Sequence, residues 1–133
     1  MTATTTANRI PPNEAHAKMT NDGYVYVDVR TPEEFFEGRP AGSINIPLDD
    51  QFVSNVSGRF AKDAKIIVGC KAGGRSLRAA KALTDAGFTN ILDQRAGFDG
   101  SRGPFGEITE PGWARCAGLP QDIGTPNTPA PTR

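Results

Sequence analysis

The order of apolar and polar positions divides the chain into alternating strand-like and helix-like stretches. Tyr24–Val29 (YVYVDV) is apolar, β-branched or aromatic nearly throughout, and Lys65–Gly69 (KIIVG) repeats that character. Runs without a period of two suit strands covered on both faces, as in parallel sheets. Ser43–Ile46, stopped by Pro47, and Asn90–Asp93 read as two shorter strands. Asn13 caps a predicted short helix over Glu14–Met19. Thr31-Pro32-Glu33-Glu34 is a helix start, with Thr31 as N-cap, Pro32 at the first helical position, Glu34 closing a capping box and Gly38 as the stop. Asp50–Asn55 is a further helical stretch. Ser76–Ala86 predicts a helix with Leu77, Ala80 and Leu83 on one face and Gly87 ending it. A Gly-rich connection then leads to a short helix over Gly112–Ala117. Strands alternating with helices in one small chain predict an α/β fold, a mostly parallel central sheet flanked by helices on both faces.

Composition narrows the class. The 133 residues make one ordinary domain. Residues 1–12 read as a flexible N-terminal tail, 13–119 as the domain, and 120–133 as a disordered Pro/Thr-rich tail ending in TPNTPAPTR. Fifteen Lys and Arg balance fifteen Asp and Glu, so the chain lacks the positive charge of a nucleic-acid binder or a polybasic membrane anchor. Two Cys and one His exclude a disulfide framework and a His-rich metal cluster. The start, MTATTTANRI, has no apolar core of a secretory signal, and no run approaches the ~20 residues of a membrane span. A cytoplasmic location is the expectation, with organellar targeting left open.

One segment carries chemistry. Ile66–Gly69 runs into Cys70-Lys71-Ala72-Gly73-Gly74-Arg75-Ser76 and then at once into a helix. The carboxyl edge of a buried strand is where open α/β sheets bind ligands. Gly73 and Gly74 allow successive amides to turn inward as an anion nest, and the helix start adds about half a positive charge. Lys71 and Arg75 add full charges. Such surroundings bring a thiol from ~8.5 to ~3.5–7.5, so Cys70 is expected to be a thiolate at neutral pH without a histidine base. A lone cysteine at a strand end is otherwise a small buried hydrophobe; the loop is what reverses that reading.

At these residues the sequence resembles the rhodanese family of sulfurtransferases, most of all its short single-domain thiosulfate sulfurtransferases. Asp28-Val29-Arg30-Thr31-Pro32-Glu33-Glu34-Phe35 is similar to the family's D-x-R-x-x-x-E-[FY]. Gly42-Ser43-Ile44-Asn45-Ile46-Pro47 resembles G-A-x-N-I-P, and Cys70–Ser76 resembles C-x-x-G-x-R-S. The resemblance spans about Asn13–Leu119, including Ala86-Gly87-Phe88 with Asn90-Ile91. It implies that Cys70 is the catalytic nucleophile. Cys70 takes the outer sulfur of thiosulfate, releases sulfite, and passes its persulfide to cyanide or a thiol in a ping-pong cycle. Lys71, Ala72, Gly73, Gly74, Arg75 and Ser76 would bind substrate, with Arg75 also bonding loop carbonyls or a carboxylate. Neither metal nor organic cofactor is implied.

The departures are two. Where the family often has His-Ile, this chain has Gly38-Arg39-Pro40, and Arg39 is expected either to add charge at the pocket mouth or to be a solvated surface residue. Where it often has Gly-Gly and a Trp, this chain has Arg95–Gly100, with its Trp at Trp113, so Ser101–Pro111 reads as an insertion. Asp28 and Arg30 are expected to form a supporting ion pair, Glu34 a capping acceptor, Cys116 a packed thiol and His16 an exposed side chain. Alternatives are a phosphatase or arsenate reductase on the same scaffold, and a persulfide carrier or interaction module with little turnover. The four residues between Cys70 and Arg75 match the shorter, sulfur-handling loop; related phosphatases use one residue more. Expected partners are a small-molecule sulfur donor and acceptor, with a thiol-bearing protein acceptor as a further candidate, and neither nucleic acid nor membrane. The donor stays open among thiosulfate, mercaptopyruvate, glutathione persulfide and a cysteine desulfurase, as does the oligomeric state.

Overall fold

A computed structural model describes residues 8–124. Nine strands form: β1 (Arg9–Ile10), β2 (Val25–Asp28), β3 (Arg39–Pro40), β4 (Ile44–Asn45), β5 (Ile66–Gly69), β6 (Ile91–Gln94), β7 (Gly100–Arg102), β8 (Ile108–Pro111) and β9 (Gln121–Asp122). The helices are α1 (Pro12–Asn21), α2 (Pro32–Glu37), α3 (Phe52–Ser57) and α4 (Gly74–Asp85), and Trp113–Arg115 is a 3-10 turn. The main sheet is parallel throughout, in the order β1-β6-β5-β2-β4.

The buried strands cover both faces because their side chains alternate. Val27, Ile66 and Val68 join Phe52 and Val56 of α3 and Ala79 and Leu83 of α4 on one side. Tyr26 and Ile67 join Ala15 of α1 and Trp113 on the other. Each fully buried large side chain of this kind is worth about 1.5–3 kcal/mol. From β2 the chain moves outward to β4, then returns to the other side of β2 for β5 and continues away to β6. The carboxyl ends of β2 and β5 therefore flank the point where the winding reverses, the crevice in which such sheets bind ligands.

Most differences from the sequence reading come from contacts distant along the chain. Both supposed tails contribute strands within the described residues. Arg9–Ile10 adds to the edge of the main sheet beside β6, and Gln121–Asp122 pairs antiparallel with Arg39–Pro40. A two-residue strand leaves no periodicity to read, and its hydrogen bonds depend on a partner distant in sequence. The remainder of both tails, 1–7 and 125–133, lies outside the described residues. Helix α4 begins two residues earlier than expected, and it buries Ser76, Ala79 and Leu83, while Leu77 is 37% exposed. His16 is partly buried, its ring edge-on to Trp113 at 5.7 Å between centroids. The segment read as an insertion folds as an antiparallel hairpin, β7–β8.

Candidate active site

Strand β5 delivers Cys70 to the carboxyl edge of the sheet, where it is 2% exposed. The next residues turn sharply so that the Gly73 N–H donates to Cys70 Sγ at 3.1 Å. That turn needs glycine. Gly73 has φ +104°, and a Cβ there would stand 2.2 Å from the Arg95 carbonyl oxygen. Gly73 is also the N-cap of α4. The amides of Gly74, Arg75 and Ser76 thus open the helix with no partner one turn earlier, and the positive end of its dipole lies at the loop. The Ser76 hydroxyl is 3.6 Å from Cys70 Sγ and donates to the Gly73 carbonyl at 3.3 Å. One amide reaches the sulfur, where the sequence suggested a succession of them.

Two braces hold the loop. On one side Arg75 meets Glu34 as a fork, Nη1 to Oε1 at 2.8 Å and Nη2 to Oε2 at 3.0 Å. Glu34 also closes the expected capping box with Thr31. The hydrogen bond from Arg75 holds the Glu34 carboxyl down to about 2, helped by the Thr31 amide and opposed by burial. The carboxylate that Arg75 was expected to find is thus the capping residue of α2. On the other side, the Phe98 N–H donates to the Cys70 carbonyl at 2.7 Å, and the Asp99 N–H donates to that of Lys71 at 2.9 Å. Gly97 lets this strap approach, since a Cβ there would stand 2.4 Å from the Lys71 carbonyl. Gln94 shapes the strap's turn: its Oε1 accepts from the Ala96 and Gly97 amides, and its Nε2 donates to the Tyr26 hydroxyl and the Gly97 carbonyl. Burial pushes the Tyr26 phenol well above its ordinary value.

The other expected residues divide. Arg30 donates to both Asp28 oxygens at 2.6–3.0 Å and to the Gly38 carbonyl at 2.6 Å, so the pair is buried and ties β2 to the end of α2. Lys71, Ala72 and Gly74 are exposed on the loop, and Arg75 is partly so. Arg39 is corrected. It is 4% exposed, neither at a pocket mouth nor solvated. Its Nη1 donates to the carbonyls of Phe35 and Gly124, and its guanidinium lies 4.5 Å from the Phe35 ring centroid. The C-terminal segment that carries β9 covers it, which is why a charged residue between Gly38 and Pro40 looked like a surface one. A cavity of about 160 Å³ opens beside the loop, lined by Arg30, Glu34, Glu37, Gly38, Lys71, Phe98 and Asp99. The Arg30 guanidinium lies 4.8 Å from the Phe98 centroid in its wall.

Sequence reasoning assigned no role to Gln94 or Phe98, and Asn45 entered only as a letter of the Gly42–Pro47 motif. Asn45 Nδ2 donates to the carbonyls of Asp28 and Arg30, fixing the end of β2. The available signal was a polar residue closing a strand, Asn45 after Ile44 and Gln94 after Asp93. Among the described residues, no three His, Cys, Asp or Glu side chains converge on a metal position. No helix among them is long and apolar enough to cross a membrane.

The family model described as "Rhodanese-like domain" matches residues 11–102. Thiosulfate sulfurtransferase 16, chloroplastic, of Arabidopsis thaliana is 42% identical over 86 residues, covering 57% of this chain and 72% of its own length. Thiosulfate sulfurtransferase GlpE of Stutzerimonas stutzeri is 37% identical over 91 residues, 68% of this chain and 81% of the relative. Of two further plant relatives this chain spans 57% and 50% of the length. A mitochondrial Arabidopsis protein named HIGH ARSENIC CONTENT 1 is 34% identical over 86 residues, 57% of this chain and 51% of its own. Among solved structures, the crystal structure of Rv0390 from M. tuberculosis superposes with a TM-score of 0.72 at 28% identity, over 89% of this chain and 98% of that one.

Proposed function

The chain belongs to the rhodanese-like family, and on that premise we propose that it is a sulfurtransferase working through a persulfide on Cys70, with thiosulfate as donor. The observation that carries the reading is the Gly73 amide aimed at Cys70 Sγ at 3.1 Å, at the head of α4. In the first half-reaction the Cys70 thiolate attacks the outer sulfur of thiosulfate. The new S–S bond forms as the bond to the sulfonyl sulfur breaks, and sulfite leaves with that electron pair. In the second, a thiophile such as cyanide or a thiolate attacks the outer persulfide sulfur, and Cys70 recovers its thiolate. The Gly73 amide and the free amides of the helix start stabilise negative charge on the outer sulfur. Lys71, on the cavity rim, offsets the charge of the departing sulfite, and Glu34 and Arg75 keep the loop closed.

The test is intact mass after thiosulfate treatment of the parent chain and of Cys70→Ser. The parent gains one sulfur atom, removed by cyanide; the variant gains none. Sulfur on Cys116 instead would overturn the site. A relative with arsenic in its name favours one second reading, an oxyanion reductase or phosphatase on the same loop. Four residues between Cys70 and Arg75 leave less room for a tetrahedral oxyanion. Phosphate release from an aryl phosphate without sulfur uptake from thiosulfate would select that second reading.

A further inference from the structure

The Cys70 loop has a third support, from a residue outside the matched span of 11–102. Arg9 and Asp93 stand directly opposite each other across the parallel pair β1–β6. Arg9 Nε donates to Asp93 Oδ2 at 2.7 Å, and the same guanidinium reaches with Nη2 to the Gly73 carbonyl at 3.1 Å. The Asp93 side chain is 2% exposed. Its other oxygen, Oδ1, has no hydrogen-bond partner among the described residues, and burial pushes the Asp93 carboxyl up, opposed by the Ser76 hydroxyl and the Arg9 guanidinium.

The geometry points to Arg9 as a positioning residue for Cys70, anchored on Asp93 and acting through the Gly73 carbonyl. The route is short. Arg9 holds the Gly73 oxygen, and the nitrogen of that same residue donates to the sulfur. Because a trans peptide is planar, fixing the Gly73 carbonyl also fixes the opposite direction of the Gly74 N–H, the first free amide of α4. Gly73, at φ +104°, has backbone freedom that a neighbour must restrain. Arginine suits the task because its fork serves two acceptors at once, whereas a lysine ammonium cannot match that rigid geometry. Arg9 and Asp93 border a cavity of about 240 Å³ between α4 and the sheet edge, so shortening Arg9 enlarges an existing space rather than opening a void in packed core. The role rests on Cys70 being the reacting sulfur.

The experiment measures the pH profile of iodoacetamide alkylation at each cysteine by peptide mass spectrometry, with Cys116 as reference in the same molecules. Tyr26 and Arg75, two groups whose titration the Cys70 sulfur influences, stay unchanged in every variant. Arg9→Met is expected to slow alkylation of Cys70 at neutral pH about tenfold relative to Cys116 and to move its profile to higher pH. Arg9→Lys is expected to show most of that loss. Since removing Arg9 alone strands a buried carboxylate, Arg9→Met with Asp93→Asn lets the lost bond to Gly73 be read without the unpaired charge. A folded double variant whose Cys70 profile matches the parent overturns the inference. So does a lower thermal midpoint with both cysteines accelerated alike, the mark of general loosening. Sulfur uptake from thiosulfate is followed in parallel. No uptake by the parent defeats the proposed activity, whatever Arg9 does; uptake with an unmoved Cys70 profile defeats only the role of Arg9.

Discussion

The two cysteines occupy regions built in opposite ways. Cys70 ends a central strand, and three separate segments hold the loop behind it: α2 through Glu34, the strap through Phe98 and Asp99, and β1 through Arg9. Cys116 follows a 3-10 turn at the base of the β7–β8 hairpin, and its thiol is directed at the Pro111 carbonyl at 3.9 Å. Burial, and then the negative charge of Glu110, push its thiol up. A backbone donor meets one sulfur; a backbone acceptor faces the other, in the field of the Glu110 carboxylate. Under the proposed function, the orientation of peptide dipoles, which residue type does not reveal, is what sets the reacting cysteine apart from the other. The hairpin is tied down by surface ion pairs, Arg95 with Glu110 at 2.9 Å and Arg115 with Asp99 at 3.1 Å, and such pairs contribute little each.

The sharpest way to break this contrast is to exchange each sulfur for oxygen. Cys70→Ser is expected to cut sulfur uptake from thiosulfate by about 10³-fold or more, while Cys116→Ser leaves it within about twofold, both read as the rate of mass gain. Equal losses would erase the distinction. Next in size is Gly73→Ala, which forces a positive φ on a residue with a Cβ and drives that Cβ against the Arg95 carbonyl. It should destabilise the fold by about 2 kcal/mol in urea denaturation and lower sulfur uptake far more than Gly106→Ala, in the open hairpin tip, does. Gly106 shares the positive φ but meets nothing within 4 Å.

The Glu34–Arg75 fork gives a smaller, pH-dependent effect. Its carboxyl is lowered in the folded state, so the fork's contribution is complete above the ordinary glutamate value of about 4.5 and is lost as pH falls through about 2. Glu34→Gln should therefore remove a component of acid destabilisation between those values, measured by thermal midpoint against pH. It should also slow sulfur uptake about tenfold at neutral pH. An unchanged acid profile would mean that the fork does not tie α2 to the loop. Smallest is Phe105→Ser at the hairpin tip. Phe105 is 94% exposed, so stability should change by less than about 0.5 kcal/mol and uptake from thiosulfate not at all.

The alternation of buried strands with capped helices was legible because each signal is local. The capping box at Thr31 and Glu34, the apolar runs of β2 and β5, and the Cys-to-Arg loop all lie within a few residues. Arg39, Leu77 and the short strands β1 and β9 were misread for the converse reason. Arg39 is buried by a segment some 85 positions away, at Gly124, and β1 exists only because β6 offers it a ladder. Leu77 lies beside the buried face of α4, and two members of that face, Ser76 and Ala79, are small and so weigh little in an apolar pattern.

Residue order alone determined the class of fold, the family and the place of Cys70 in a glycine-rich loop between strand and helix, since propensity, capping and glycine spacing act over one or two turns of chain. Tertiary structure alone decided which charges serve the loop. Glu34, Arg9 and Asp93 come from three different elements, and their value lies in distances of about 3 Å that no spacing along the chain encodes. Hydrogen bonds and contact ion pairs form only at about 3 Å, so the partners of a charge are known only once the sheet has brought its edges together.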